Sequence, residues 1–316
     1  MSLIRVATAH SYEAAMARIN QRGAEINDLQ EKLAAGKRVL RASDDPVAAT
    51  LAERESNRLQ RTEADLRALE RSRSSLQLAE GAIGQMGDVL GRFHELLVQA
   101  GNSSLSDSDR RTLSTEMRGL REQLLNLANT QDTEGNALLG GLGVTHPNGR
   151  PFQETGPPAA VLSHLLPGQA AATEVGLPSR VDGDFALRNL DSVDPAVPGS
   201  TDLFAVMQRA IDALEDPALS VGARMQALAH ANADLQTGQD RLLLVRGRLG
   251  ELLNRADSLG SLLQDRSVAG QQALSQLTDL DMVRAISEFQ NRQLGLQAAL
   301  QSYAQVQRLS LFQFIA

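Results

Sequence analysis

The stretch from Leu69 to Leu97 reads LERSRSSLQLAEGAIGQMGDVLGRFHELL, and its spacing decides the fold class. Leu69, Leu76, Ile83, Leu90 and Leu97 recur every seven residues, with Ser72, Ala79, Met86, Phe93 and Ala100 recurring every seven between them. Alternating steps of three and four place both sets on one stripe of an α-helix, the seam that packs against a second helix. Extended back to Pro46, that helix would be about 80 Å long at 1.5 Å per residue, more than a compact single-core domain requires. A second repeat at Leu228, Leu235, Leu242, Leu249, Ala256 and Leu263 supplies a partner. Each stripe needs the other for burial. The expected fold class is therefore mainly α, a long antiparallel helical bundle or coiled-coil rod.

Outward from that rod, the two ends of the chain carry weaker stripes of the same rhythm. Tyr12, Met16, Ile19, Gly23, Ile26, Gln30 and Leu33 form one, and Met282, Ile286, Phe289, Gln293, Leu296, Leu300 and Tyr303 form the other. The spacing predicts paired terminal helices, joined within one molecule or between neighbouring subunits. Gly23, Gln30 and Gln293 interrupt the seam, and polar seam positions fix register at a cost in stability. Such ends are expected to become fully ordered when many copies pack them together. Met16, Ile19, Ile26, Leu33, Ile286, Phe289, Leu296, Leu300 and Tyr303 are the candidate assembly residues.

Capping chemistry marks the breaks. A first helix is expected from about Ser11 to Ala35, ended by Gly36 in a left-handed cap. Ser43-Asp44-Asp45-Pro46 restarts a helix, since proline suits the first turn and an acidic side chain accepts from its orphan N–H groups. Ser106 and Asp109 have the spacing of a capping box, before Leu113, Met117, Leu120, Leu124 and Leu127. Between Gly140 and Ser200 the periodicity stops and prolines crowd in at 147, 151, 157, 158, 167, 178, 195 and 198. Ala160–Leu166 and Val181–Leu187 read there as short strands of a small β-rich insertion. Helical rhythm resumes at Asp202, breaks at Pro217 and breaks again near Thr278–Asp281. The expected division is a terminal region of residues 1–42 and 279–316, a long-helix rod of 43–139 and 201–278, and an outer insertion of 140–200.

Composition narrows the function. Aromatic residues make up only 3% of the 316, with no Trp, so Leu and Ala must supply most of the buried surface. A formal charge of -7 offers no broad basic face, which argues against nucleic acid. No run is long and apolar enough to span a bilayer, and the start of the chain does not read as a cleavable signal peptide. With no Cys, disulfides and thiolate metal sites are excluded.

No constellation for chemistry stands out, and no cofactor is expected. Asp44 and Asp45 read as helix-start residues rather than as a catalytic or metal pair. The phosphate-loop pattern fails at Gly36-Lys37, because Glu31 stands where the upstream glycine is needed and Arg38 replaces Ser or Thr. His94-Glu95 fails as a zinc-protease motif, because the second histidine position is Val98. The expectation is a structural protein and not an enzyme.

Three blocks carry a resemblance. Ala35-Gly36-Lys37-Arg38-Val39 with Ser43-Asp44-Asp45-Pro46-Val47-Ala48-Ala49 is the first, with Gly36, Ser43, Asp44, Asp45 and Pro46 as its signature. Gly101-Asn102, Leu105-Ser106-Asp107 and Leu120–Asn129 make the second, and Leu294–Tyr303 with Leu309-Ser310-Leu311-Phe312 the third. In this order they resemble the flagellin superfamily, and within it the hook–filament junction family. One departure is Asn136-Ala137-Leu138-Leu139, where the family often has an aromatic pair. The resemblance implies a tubular assembly whose innermost layer is made by the terminal helices, with the rod around it and the insertion outward. It implies an extracellular protein of the bacterial flagellum, exported through the flagellar type III channel without a cleaved signal. Its implied partners are a ring of its own copies, the adjoining hook-associated protein, flagellin on the filament side, and a cytosolic export chaperone on the C-terminal helix. The alternatives are a flagellin filament subunit and, from another class, a cytosolic coiled-coil scaffold or signalling protein.

Overall fold

The computed structural model describes residues 2–155, 160–166, 176–178, 180–197 and 199–315, with side chains from 13 to 305. Its elements are α1 (Ser2–Ala35), α2 (Pro46–Ala100), α3 (Asp107–Ala128), β1 (Phe152–Thr155), β2 (Ala160–Ser163), α4 (Gly183–Leu187), β3 (Leu190–Asp191), β4 (Ser200–Thr201), α5 (Leu203–Glu215), α6 (Val221–Thr278) and α7 (Met282–Ile315). The chain is mainly helical, with two small antiparallel sheets among the described residues. It divides into two compact units, Ala64–Gln264 and Met1–Glu63 with Asp265–Ala316. These seams fall inside α2 and α6, later in the chain than the turn at 42/43 and earlier than the turn at 278/279.

In the unit of residues 64–264, Leu69, Leu76, Ile83, Leu90, Leu97, Leu228, Leu235, Leu242 and Leu249 are each at most 4% exposed. Burial on this scale is worth about 1.5–3 kcal/mol per large aliphatic side chain, which is what keeps two such long helices together. The pairs Glu80–Arg246 at 2.7 Å and Arg73–Asp257 at 3.2 Å show α2 and α6 running antiparallel. α3 begins at a complete capping box, with Ser106 Oγ accepting from the Asp109 N–H and Asp109 accepting from the Ser106 N–H. Its Met117 and Leu124 share one core with Phe204, Met207 and Ile211 of α5 and with the α2–α6 seam.

The 140–200 stretch joins that same core through Phe152, Val161, Ala186, Leu187 and Leu190. β1 pairs with β2 (Phe152 opposite Ser163) and β3 with β4 (Leu190 opposite Thr201). Polar ties reinforce it. Arg121, only 2% exposed, reaches Glu154 Oε1 at 2.6 Å and the Phe204 carbonyl at 3.3 Å. Asp234 of α6, at 0% exposure, accepts from Ser192 Oγ (2.6 Å), the Val193 N–H (2.8 Å) and Arg209 (2.9 Å). The guanidinium carbons of Arg241 and Arg248 lie 5.3 and 4.6 Å from the centre of the Phe185 ring.

Three local expectations need correction. Val181–Leu187 is not a strand: Asp182 Oδ1 accepts from the N–H groups of Asp184 and Phe185 and caps the short α4 instead. The pairing stretch of Ala160–Leu166 ends at Ser163, with Leu165 making an isolated bridge to Val144. The first helix also starts at Ser2 rather than Ser11.

Candidate functional site

In the unit formed by the chain ends, α1 and α7 lie antiparallel. Arg22 donates to the Gly295 carbonyl at 2.9 Å, and Arg292 pairs with Glu25 at 2.9 Å, between helices far apart in sequence. On α1 the sheltered face is Ile19, Ile26, Leu29 and Leu33, with Leu29 the most buried of them. On α7 it is Ala285, Phe289, Arg292, Leu296, Ala299 and Tyr303, with Ala285 the most buried of them.

Of the stripe read from the sequence, Ile19, Ile26, Leu33, Phe289, Leu296 and Tyr303 thus face the partner helix. Met16, Gln30, Met282, Ile286, Gln293 and Leu300 are exposed, and the side chain of Tyr12 lies outside the described residues. The alternate seam positions are displaced by one residue on both helices. Leu29 replaces Gln30, while Ala285, Arg292 and Ala299 replace Ile286, Gln293 and Leu300. One signal for this was available: Leu29 is apolar where Gln30 is not, and Ile26, Leu29 and Leu33 also fit helical steps of three and four. No such signal existed on α7, where the displaced positions Ile286 and Leu300 are the more hydrophobic choice.

The displacement gives α7 a second face. At 3.6 residues per turn, Met282, Val283, Ile286, Gln290, Gln293, Leu294, Gln297, Leu300 and Gln301 fall on one side of the helix. Over residues 282–305 that side carries no charged residue, while Arg284, Glu288 and Arg292 cluster on another. Val283 and Leu294 are well exposed, at 79% and 64%. A solvated helix face normally carries charge. One made of aliphatic residues and glutamines, contiguous over several turns, is suited to burial against another protein surface.

The signature residues sit where the two terminal helices meet the long ones. Gly36 has φ +67°, the left-handed cap geometry. Asp45 caps α2, with Oδ1 accepting from the Ala48 N–H at 2.9 Å and Oδ2 facing Arg38 at 3.1 Å. Asp44 has a different task, accepting from the N–H groups of Arg41 and Leu40 within the preceding turn, both at 3.0 Å. Backbone donors hold Asp44 below the ordinary carboxylate pKa, and the Ala48 N–H and then Arg38 do the same for Asp45. Ser43 is exposed at the turn, and Pro46 opens α2. Among the described residues no group of three or more His, Asp or Glu side chains is arranged to hold a metal, and no helix is long and apolar enough to cross a membrane.

Comparison with known proteins places this architecture. Residues 6–143 match the bacterial flagellin N-terminal helical region, and residues 241–315 the bacterial flagellin C-terminal helical region. Flagellar hook-associated protein 3 of Escherichia coli K12 is 33% identical over 98% of this chain and 99% of its own. The chain belongs to the flagellar hook-associated protein 3 family, within the flagellins. That of Salmonella typhimurium LT2 is 31% identical over the same shares of the two chains. The crystal structure of the flagellar junction protein FlgL from Legionella pneumophila has the same fold, with a TM-score of 0.55 at 18% identity, over 66% of this chain and 99% of that one. The family is a structural one of the bacterial flagellum, and family membership puts this chain in the flagellar assembly.

Proposed function

We propose that this chain is a structural, non-catalytic component of the hook–filament junction, working by helical packing alone. The full-length likeness to hook-associated protein 3 carries the proposal, and the uncharged outer face of α7 supports it. The terminal region (residues 1–42 and 279–316) forms the inner layer of a tube. There the exposed Met16, Ile286 and Leu300 are buried against neighbouring copies, while Ile19, Ile26, Leu33, Phe289, Leu296 and Tyr303 hold the helix pair together. The rod (43–139 and 201–278), stiffened by its leucine seam, makes lateral contacts, and the 140–200 insertion faces outward. The partners are copies of itself, the adjoining hook-associated protein on one side and flagellin on the other. A cytosolic chaperone guards the uncharged α7 face before export, and the site of action is the extracellular flagellum.

A deletion strain tests the role. It is expected to secrete flagellin unassembled and to show bare hooks by electron microscopy. Intact filaments without this chain would refute the junction role. Bulk extension of filaments by the purified protein would favour a filament subunit instead.

A further inference from the structure

The connector between α1 and α2 and the turn between α6 and α7 are hydrogen-bonded to each other. The Arg38 N–H donates to the Thr278 carbonyl at 2.7 Å, and the Leu280 N–H donates to the Gly36 carbonyl at 3.0 Å. Between these bonds Lys37 bridges antiparallel to Asp279. The Arg38 guanidinium spans the same junction, with Nη1 on Asp45 Oδ2 at 3.1 Å and Nη2 on the Leu277 carbonyl at 2.8 Å. One side chain therefore ties the start of α2 to the end of α6.

Three carboxylates hold the turns in shape. Besides the bonds of Asp44 and Asp45, Asp279 accepts from Ser275 Oγ at 2.6 Å and Thr278 Oγ1 at 3.1 Å. All three act as acceptors, a capacity that an ionised carboxylate has in full and a protonated one loses in part.

We propose that the two chain reversals form one acid-releasable lock, with Arg38 as its positioning residue, which holds α1 and α7 in register. It lets the helix pair loosen before the core of residues 64–264. This concerns the single chain and stands or falls apart from the junction role.

The surrounding charges agree with the proposal. Asp44 faces Arg41 and Lys32, Asp45 faces Arg38, and Asp279 faces Lys37. The adjoining cleft of about 510 Å³ adds Glu25, Asp28, Asp281 and Glu288 against Arg284 and Arg292. Lys32 pairs with Asp28 at 2.8 Å, Arg41 with Glu31 at 2.7 Å, and Arg292 with Glu25 at 2.9 Å. Protonating Asp45 and Asp279 would take the facing negative charge from Arg38 and Lys37 in a region already dense in cations.

The sign follows from linkage. Asp44, Asp45 and Asp279 are depressed from 3.8 in the folded chain, so their stabilisation is complete above about pH 4 and is lost as pH falls through the lower folded values. In the unit of residues 64–264, burial pushes Asp202 up, so its protonation in acid relieves a cost. Asp109 there shares the downward shift, caused by Ser106, so the first turn of α3 is expected to loosen as well.

Amide hydrogen exchange on the dilute full-length chain, corrected for intrinsic rates, tests the lock near pH 7 and pH 3. Protection over residues 13–39 and 275–303 is expected to fall by about tenfold or more in acid, while residues 76–97 change by less than about twofold. Arg38→Ala is expected to reproduce the loss near pH 7 and to flatten the pH dependence, with Arg38→Lys restoring part of it through a single donor. Asp279→Asn, which leaves the helical core untouched, should also weaken the same segments at neutral pH. Simultaneous loss from both units in acid would overturn the lock. So would wild-type protection near pH 7 in both Arg38→Ala and Asp279→Asn.

Discussion

Replacing both Ile286 and Leu300 by Asp separates assembly from folding. In the single chain these side chains are 45% and 47% exposed, so roughly half of each remains to be buried by a neighbour. Complete burial of Leu or Ile is worth about 1.5–3 kcal/mol, which leaves about 1 kcal/mol per residue to be gained on packing between subunits. The double substitution removes about 2 kcal/mol of that gain. It also asks the interface to desolvate two carboxylates, at several kcal/mol each unless they are paired. Association should weaken by at least about a thousandfold, or some 4 kcal/mol. The cost within one molecule is smaller, about 1 kcal/mol per site, because the new carboxylates keep access to water. Expressed in a deletion strain, the variant should be secreted with wild-type helicity by circular dichroism, yet be missing from sheared flagella and fail to restore motility. Wild-type incorporation would show that this face of α7 stays in solvent in the assembled state, and the reasoning would be wrong.

Helix contacts and buried charge can be probed the same way. A Cβ at Gly238 would overlap a methyl of Leu203, whereas one at Gly87 would meet nothing within 4 Å. Gly238→Ala should cost about 1–3 kcal/mol from overpacking, offset by up to about 1 kcal/mol of helix propensity, while Gly87→Ala should stabilise by about 1 kcal/mol. Opposite shifts in thermal midpoint are the expected result, and shifts of one sign would discard the contact. Asp234→Ala strands Ser192, the Val193 N–H and Arg209, and should cost about 2–4 kcal/mol in urea unfolding. A loss under about 1 kcal/mol would mean that the loop after β3 rearranges freely.

Much of the fold could be read along the chain because it rests on local regularities. The seven-residue recurrence of Leu69–Leu97 and Leu228–Leu249 is a property of helix geometry, and those residues are the ones buried between α2 and α6. Ser106 with Asp109 and Gly36 with φ +67° are likewise determined by neighbours a few residues away. The apolar Val181, Phe185, Ala186 and Leu187 are too few to tell a strand from a short helix, and the choice falls to the cap at Asp182. The lock around Arg38 is invisible in the sequence because its acceptors, Asp45 before α2 and the Leu277 carbonyl of α6, belong to distant segments, the second 239 residues away.

Sequence alone determined that this chain is built of long helices with a short irregular insertion, and that its two ends carry apolar stripes. Periodicity, caps and breakers act over a few residues, so they survive in a linear string. Only the tertiary structure decided which residues of those stripes meet and which stay outside. A step of one residue turns a helix face by about 100°, so choosing Leu29 over Gln30, or Ala285 over Ile286, depends on where the neighbouring helix lies. That choice left the uncharged row from Met282 to Gln301 exposed on α7.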